Sequence, residues 1–169
     1  TLLGVVKGNT TVNINPSATV AHEPFIYHNV YGGGALGSVG TFTFSDGVSE
    51  PLMKYVPKGI PLEWEDNTGV PTVNIKGGTI GISGRDNGMV NGSSRGDVAK
   101  PEPTIMGGPT TYIDKDPYDK MASVKQSIVN IGETGEDGPQ VKGSVYGGGE
   151  NGHVFTHATV NVKSGTIGI

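Results

Sequence analysis

The chain of 169 residues is long enough for one domain, and its composition excludes several protein classes. Glycine supplies 29 residues, far above the usual share of about 7%, but without the three-residue period of collagen. The net charge of −4 gives no reason to expect nucleic acid as a partner. No apolar run approaches the roughly 18 residues of a membrane span, so membrane insertion is not expected. Because cysteine is absent, disulfides and thiolate metal sites are excluded.

A four-residue phrase occurs four times, and its polarity alternates as in a β-strand. It is Thr-Val-Asn-Ile at 11–14 and 72–75, Ile-Val-Asn-Ile at 128–131, and Thr-Val-Asn-Val at 159–162. Apolar and polar residues alternate with a period of two, which is typical of a half-buried strand. Glycine follows three of the copies within three residues, and it ends a strand because it adopts positive φ without penalty.

A glycine-rich phrase follows the first phrase at a nearly constant distance. It is Val-Tyr-Gly-Gly-Gly at 30–34 and 145–149, with a divergent copy, Val-Asn-Gly-Ser-Ser, at 90–94. From Val12 to Val30, Val73 to Val90 and Val129 to Val145 the separations are 18, 17 and 16 residues. A third piece, Gly-x-Val, lies at 4–6, 37–39, 96–98 and 152–154. Without its longer connections the repeat unit is roughly 31–33 residues, which is the size of a solenoid repeat.

These repeats predict an all-β fold over residues 1–169 as a single segment, a parallel β-solenoid (β-helix) of about three to four coils. Valine and isoleucine would face inward as one column, with the coils about 4.8 Å apart. Asparagine would face outward, where stacked side-chain amides can hydrogen-bond along the column. The predicted structural ladder consists of Val12, Val73, Val129, Val160, Asn13, Asn74, Asn130 and Asn161.

Two places depart from this regular pattern. The glycines after Tyr31 and Tyr146 are interpreted as tight corners, because a phosphate-binding turn needs a following helix and none is indicated. In the third copy, residues 132–139 lack the apolar residues expected for the second strand. Either Val141 replaces them or the coil bulges at that point.

Two long connections carry a different composition, rich in proline and aromatic residues. They are predicted as insertions 40–71 and 99–127, placed at the same point of two successive coils and side by side on one flank. Their aromatic residues either form a small satellite core or bind sugar faces, with nearby carboxylates accepting from hydroxyls. The candidate ligand-binding residues are Trp64, Tyr55, Tyr112 and Tyr118.

Metal binding and catalysis have little support in the sequence. Asp114, Asp116 and Asp119 are spaced as in a calcium loop, but the glycine and the terminal glutamate of such a loop are missing. A solvated charge cluster is favoured instead, and neither a metal nor a cofactor is expected. Glu150 with His153 could serve as an acid/base pair, but only the fourth copy carries them, so no catalytic residue is assigned.

The repeated phrases resemble a known group of repeats. Residues 29–39, 144–154 and 72–81 look like the Gly-rich VYGGG / TVNIxGGTIG repeat region of large Bacteroidales cell-surface proteins. The resemblance covers roughly half the chain, leaves both insertions unexplained and implies export to the cell surface and a β-solenoid architecture. It implies no active site.

The hypothesis from the sequence is therefore a non-catalytic structural or adhesive segment of an extracellular bacterial surface protein or filament. One alternative is a carbohydrate-binding adhesin module that uses the aromatic residues of the insertions, with glycans as partners. A second alternative is a polysaccharide-active enzyme. Neither end carries a cap, which predicts either continuation in a longer chain or end-to-end stacking of copies.

Overall fold

The described part of the structure, a computed structural model, consists of β-strands and their connections. It covers residues 5–16, 23–44, 62–96 and 122–168. No helix occurs in these ranges, and parallel strands stack into sheets, so the all-β, parallel part of the prediction is confirmed.

Four parallel sheets contain nearly all the strands, and the chain visits them in a fixed order. Sheet A contains the bridging residues Val6 and Val39, then β9 (Ser123–Val124) and β13 (His153–Val154). Sheet B contains β1 (Thr10–Ile14), β6 (Pro71–Ile75), β10 (Ser127–Ile131) and β14 (Ala158–Val162). Sheet C contains β2 (Phe25–Ile26), β7 (Thr79–Ile80), β11 (Gln140–Val141) and β15 (Thr166–Ile167). Sheet D contains β3 (Val30–Tyr31), β8 (Val90–Asn91) and β12 (Val145–Tyr146).

One traverse of sheets A, B, C and D is called a pass here, and equivalent strands of successive passes are hydrogen-bonded neighbours. In sheet B the order is β1-β6-β10-β14, and the pairing places Val12, Val73, Val129 and Val160 in one file. Sheets C and D repeat this arrangement with strands of two residues. The inward apolar side chains of each pass therefore pack against those of the pass before it.

Sheet B supplies much of the core because its strands are long and alternate strictly. In β6 the residues Pro71, Val73 and Ile75 are buried, and Thr72 and Asn74 are partly exposed. The same alternation recurs in β10. The central buried cluster consists of Val30, Val73, Ile75, Ile80, Val90, Val129, Ile131 and Val141. Burial of these branched side chains is the main stabilising term of the stack.

The glycine corners after sheet D are closely stacked. A Cβ on Gly32 would collide with the carbonyl group of Gly92, and a Cβ on Gly92 would collide with that of Gly147. The backbone amides of Gly32 and Gly92 donate to the carbonyl oxygens of Asn91 and Tyr146, both at 2.9 Å. These amides therefore hold adjacent passes together, and glycine is required because nothing larger fits.

The excursions from the stack lie at different corners in different passes. Val141 pairs with Ile80 and Ile167, so it takes the position of the missing apolar residue, and residues 133–137 before it are exposed. In the second pass the long excursion instead comes after sheet C, at residues 81–89. Because the two excursions compensate in length, the separation between the repeated phrases stays almost constant.

The two insertions do not leave the stack at equivalent points, contrary to the expectation from the sequence. Val124 pairs with Val39 and with Val154, so Val124 rather than Val98 holds the third position of sheet A. The first insertion follows Val39, the sheet A residue of its pass. The second insertion precedes Val124, the sheet A residue of the next pass. The expected boundaries change accordingly, since residues 122–127 belong to the stack, as does Pro71 at the end of the range 40–71.

The misassignment has a local cause at Ala122. This residue occupies the place of glycine in the Gly-x-Val piece, and its φ is +60°. Alanine at positive φ is uncommon because its Cβ crowds the backbone. The sequence therefore gives no sign that residues 122–124 form a copy of the Gly-x-Val piece. Val98 itself lies outside the described residues.

Candidate functional site

The outward residues of sheet D form a file in which the middle member differs. Tyr31 pairs with Asn91, and Asn91 pairs with Tyr146. Neighbouring strands are about 4.8 Å apart, so the two tyrosine backbones are separated by about twice that distance, with the shorter asparagine between them. The change from tyrosine to asparagine therefore removes one aromatic ring from the file.

A cavity of about 260 Å³ lies beside the asparagine. We call it the Asn91 notch, and it is lined by Met89, Asn91, Tyr146, Gly149 and Glu150. Tyr146 is 47% exposed, so its ring forms an accessible wall, and Met89 adds a second apolar surface. The notch thus combines an aromatic wall with an amide and a carboxylate.

The amide of Asn91 is the unusual group in this notch. The residue is 1% exposed, and its Nδ2 is buried with no hydrogen-bond partner within the described structure. An unpaired buried donor costs about 1–3 kcal/mol. Native proteins rarely keep such a group, and its position on a cavity wall marks the notch as a candidate binding site.

Glu150 is held in place at the notch by two other passes. The Tyr31 hydroxyl donates to Glu150 Oε2 at 2.6 Å, and Arg95 Nε lies 3.5 Å from the same oxygen. Burial raises the pKa of Tyr31 above its usual value, and the hydrogen bond to Glu150 raises that pKa further. The hydroxyl therefore remains protonated near neutral pH and holds the Glu150 carboxylate in place.

A second cavity, of about 420 Å³, lies at the corner between sheets B and C. It is acidic, and its carboxylates come from Glu23, Glu133, Glu136 and Asp137. Lys76 Nζ lies 2.7 Å from Glu133 Oε1, with both side chains nearly half exposed. Such exposed ion pairs contribute little, and this corner carries no buried unpaired group among the residues that line it.

Trp64 lies at the base of the first insertion, in an aromatic cluster. β4 (Phe42–Phe44) and β5 (Leu62–Trp64) form an antiparallel pair that brings the Phe42 ring to 4.9 Å from the Trp64 ring. Phe155 lies 5.8 Å from Trp64 on another side. The indole also lies against the backbone of Gly40 and Gly69, and its Nε1 is buried. These contacts are those of a packed side chain.

The remaining predicted site residues fall outside the described ranges. Tyr55, Tyr112 and Tyr118, proposed for ligand binding, are among them. So are the three acidic residues of the weak metal candidate, Asp114, Asp116 and Asp119. Within the ranges that the structure describes, no group of three or more His, Asp or Glu residues is arranged to hold a metal ion.

The four asparagines of sheet B form a continuous hydrogen-bonded ladder. Asn74 Nδ2 donates to Asn13 Oδ1 at 2.8 Å, and Asn130 Nδ2 donates to Asn74 Oδ1 at 2.7 Å. Asn161 Nδ2 then donates to Asn130 Oδ1 at 2.9 Å. Every amide therefore points the same way, and the ladder serves the stack rather than a ligand.

Comparison with known proteins adds no assignment. No protein-family model, no curated protein and no solved structure matches this chain. In the described residues there is also no helix of the length and apolar character needed to cross a membrane. Function is therefore argued from the geometry of the stack and of the notch.

Sequence reasoning noted the divergent phrase at 90–94 but did not recognise Asn91 as a site residue. The available signal was the contrast between Asn91 and its two tyrosine counterparts. Asn91 breaks the repeated pattern, whereas the inward valine beside it is kept. Such a change indicates that the stack does not require tyrosine at this position.

Proposed function

We propose that the stacked sheets form a β-solenoid of three complete coils and part of a fourth, and that this solenoid is a structural segment of an extracellular bacterial surface protein. The observation that supports this role is the uninterrupted asparagine ladder above a file of stacked valines. An in-register parallel stack with hydrogen bonds between passes in both backbone and side chains is a stiff element. Each pass adds about 4.8 Å, so such a segment sets a distance.

The ends of the stack support a role in a longer object. Val160, Val162 and Ile167 in the last pass are 41%, 54% and 38% exposed. The Asn161 oxygen and the Asn13 amino group are the unused acceptor and donor of the ladder. A further pass would cover the apolar side chains and extend the ladder. We infer that this pass comes from the continuation of a longer chain or from a second copy stacked end to end.

The location at the cell surface rests on the resemblance of the repeated phrases to surface-protein repeats. A non-catalytic role is favoured because Glu150, one member of the only nominated acid/base pair, is engaged with Tyr31 and Arg95. The aromatic insertions would then provide lateral contacts. Trp64, at the base of the first insertion, is packed among other rings, which favours a structural role for that aromatic side chain.

Electron microscopy of the purified chain over a range of concentrations tests this proposal. We expect rigid, narrow particles, and lengthening with concentration would identify the second copy as the covering pass. Uniform short particles at every concentration would assign that role to the continuation of the chain. Flexible or spherical particles, or a steady fall in viscosity when the protein is added to polysaccharide solutions, would contradict a structural, non-catalytic segment.

A further inference from the structure

We propose that the Asn91 notch binds one ring of a neutral sugar, presented by a glycan. This goes beyond the structural role proposed above, because the passes stack through inward valines and glycine corners that the notch does not include. The protein would then be a stiff stack that also carries a saccharide-binding site on sheet D.

The first argument is that the notch lies in the pass where the repeated tyrosine is replaced by asparagine. Tyr31 and Tyr146 occupy the same register position in the first and third passes, and Asn91 occupies it between them. The cavity of about 260 Å³ lies beside Asn91, and Tyr146 of the next pass lines it. This volume is just under the roughly 300–1,000 Å³ of sites for drug-sized ligands, so it suits one ring rather than several.

The second argument is the chemistry of the lining. A pyranose has an apolar C–H face, which suits the exposed ring of Tyr146 and the side chain of Met89. It also has hydroxyl groups that both donate and accept, which suits the Asn91 amide and the Glu150 carboxylate. Terminal amide torsions are soft, so rotation of the Asn91 side chain brings its unpaired N–H to a hydroxyl oxygen.

Other ligand classes fit less well. A purely apolar ring would leave the Asn91 amide unpaired, as it is in the free protein. An anionic ring would face the carboxylate of Glu150, whose nearest cation, Arg95, is already engaged with it. A nucleotide would bring phosphate groups to a protein with a net charge of −4. A neutral polyhydroxylated ring satisfies the amide without adding a like charge.

The test is a titration of the isotopically labelled chain with methyl glycosides of glucose, galactose, mannose and N-acetylglucosamine. The side-chain amide resonances of Asn91 are followed by nuclear magnetic resonance at millimolar ligand. We expect at least one glycoside to shift these resonances in a saturable manner. Cyclohexanol serves as a ring of similar size with a single hydroxyl, and it is expected to bind at least about tenfold more weakly.

Four variants locate the site. Tyr146→Ala removes the aromatic wall and is expected to weaken binding at least about tenfold. Asn91→Tyr restores the repeated residue, fills the notch and is expected to abolish binding. Asn91→Ala removes only the amide, is expected to weaken binding at least about tenfold, and provides a second measurement if the larger residue disturbs folding. In both Asn91 variants binding is followed through the backbone amide resonance of Gly149, which also lines the notch. Tyr27→Ala is the control, because Tyr27 is 70% exposed and does not line the notch. Circular dichroism and the fluorescence of Trp64 verify the fold of each variant.

The outcomes are distinct from those that test the structural role. The proposal is overturned if no glycoside shifts the Asn91 amide, if cyclohexanol binds as tightly as the glycosides, or if folded Tyr146→Ala protein binds as tightly as the unmodified chain. It is supported if binding is lost in Tyr146→Ala and retained in Tyr27→Ala. None of these results depends on the shape of the particles seen by electron microscopy.

Discussion

Sheets B and D are built by the same in-register stacking, but they accept sequence change very differently. In sheet B one outward position is asparagine in all four strands, and each amide bonds to the next, although the other outward position changes from threonine to isoleucine at Ile128. In sheet D the outward position changes from tyrosine to asparagine and back to tyrosine, while the inward residue stays valine. We infer that the inward residues and the asparagine ladder hold the stack together. The outward side chain of a two-residue strand can change without loss of the stacking.

The different strand lengths explain this contrast. Strands of sheet B pair over four or five residues, with three inward positions in each, whereas strands of sheet D contribute one inward valine. Sheet D is completed by the glycine corner that follows it, where Gly32, Gly92 and Gly147 are stacked too closely for any Cβ. A strand of sheet D therefore contributes fewer inward side chains to the core than a strand of sheet B does.

The largest expected effect separates the centre of sheet B from its end. Val129→Ala removes a side chain that is 0% exposed between two neighbouring passes, and it should lower the free energy of unfolding by about 2–3 kcal/mol. Val160→Ala is the matched control in the same file, and it should cost less than about 1 kcal/mol because Val160 is 41% exposed. Urea denaturation followed by circular dichroism measures both. Equal losses would show that the valine file is not a continuous buried core.

A smaller effect distinguishes the two kinds of asparagine. Asn130→Ala breaks the bond that Asn130 donates and the bond that it accepts, so it should cost about 1–2 kcal/mol. Asn161→Ala breaks only one of these bonds and should cost about half as much. The same denaturation experiment measures both losses.

Asn91→Ala completes this comparison from sheet D. Its buried Nδ2 has no partner in the described structure, so deletion removes an unpaired donor, and we expect little or no loss of stability. A loss as large as that of Asn130→Ala would mean that the two sheets use asparagine alike, and the proposed difference between them would be wrong.

The sequence predicted the stacking of both sheets but not the notch beside sheet D, for physical reasons. Val73 and Asn74 sit in a strict alternation repeated four times, and such a pattern determines which side faces inward. The notch depends on the space that Met89, Asn91, Tyr146, Gly149 and Glu150 enclose, and a cavity volume is not encoded in any local pattern. The departure at 132–139 was indicated by its missing apolar residues, whereas the excursion at 81–89 was hidden, because the two contribute similarly to length and keep the repeat distance almost constant.

A small effect of opposite sign is expected at the junction that the sequence misassigned. Ala122 has φ of +60°, a conformation that costs an alanine roughly 1–2 kcal/mol and costs glycine almost nothing. Ala122→Gly should therefore raise the free energy of unfolding by about 0.5 kcal/mol, after subtraction of the greater entropy of glycine in the unfolded chain. Ala158→Gly is the matched control, because Ala158 lies in β14 without positive φ and should lose about 0.5–1 kcal/mol. Opposite signs in the two variants would show that the backbone at Ala122, just before Val124, is strained. Equal losses would mean that the methyl group of Ala122 stabilises sheet A by more than the strain costs.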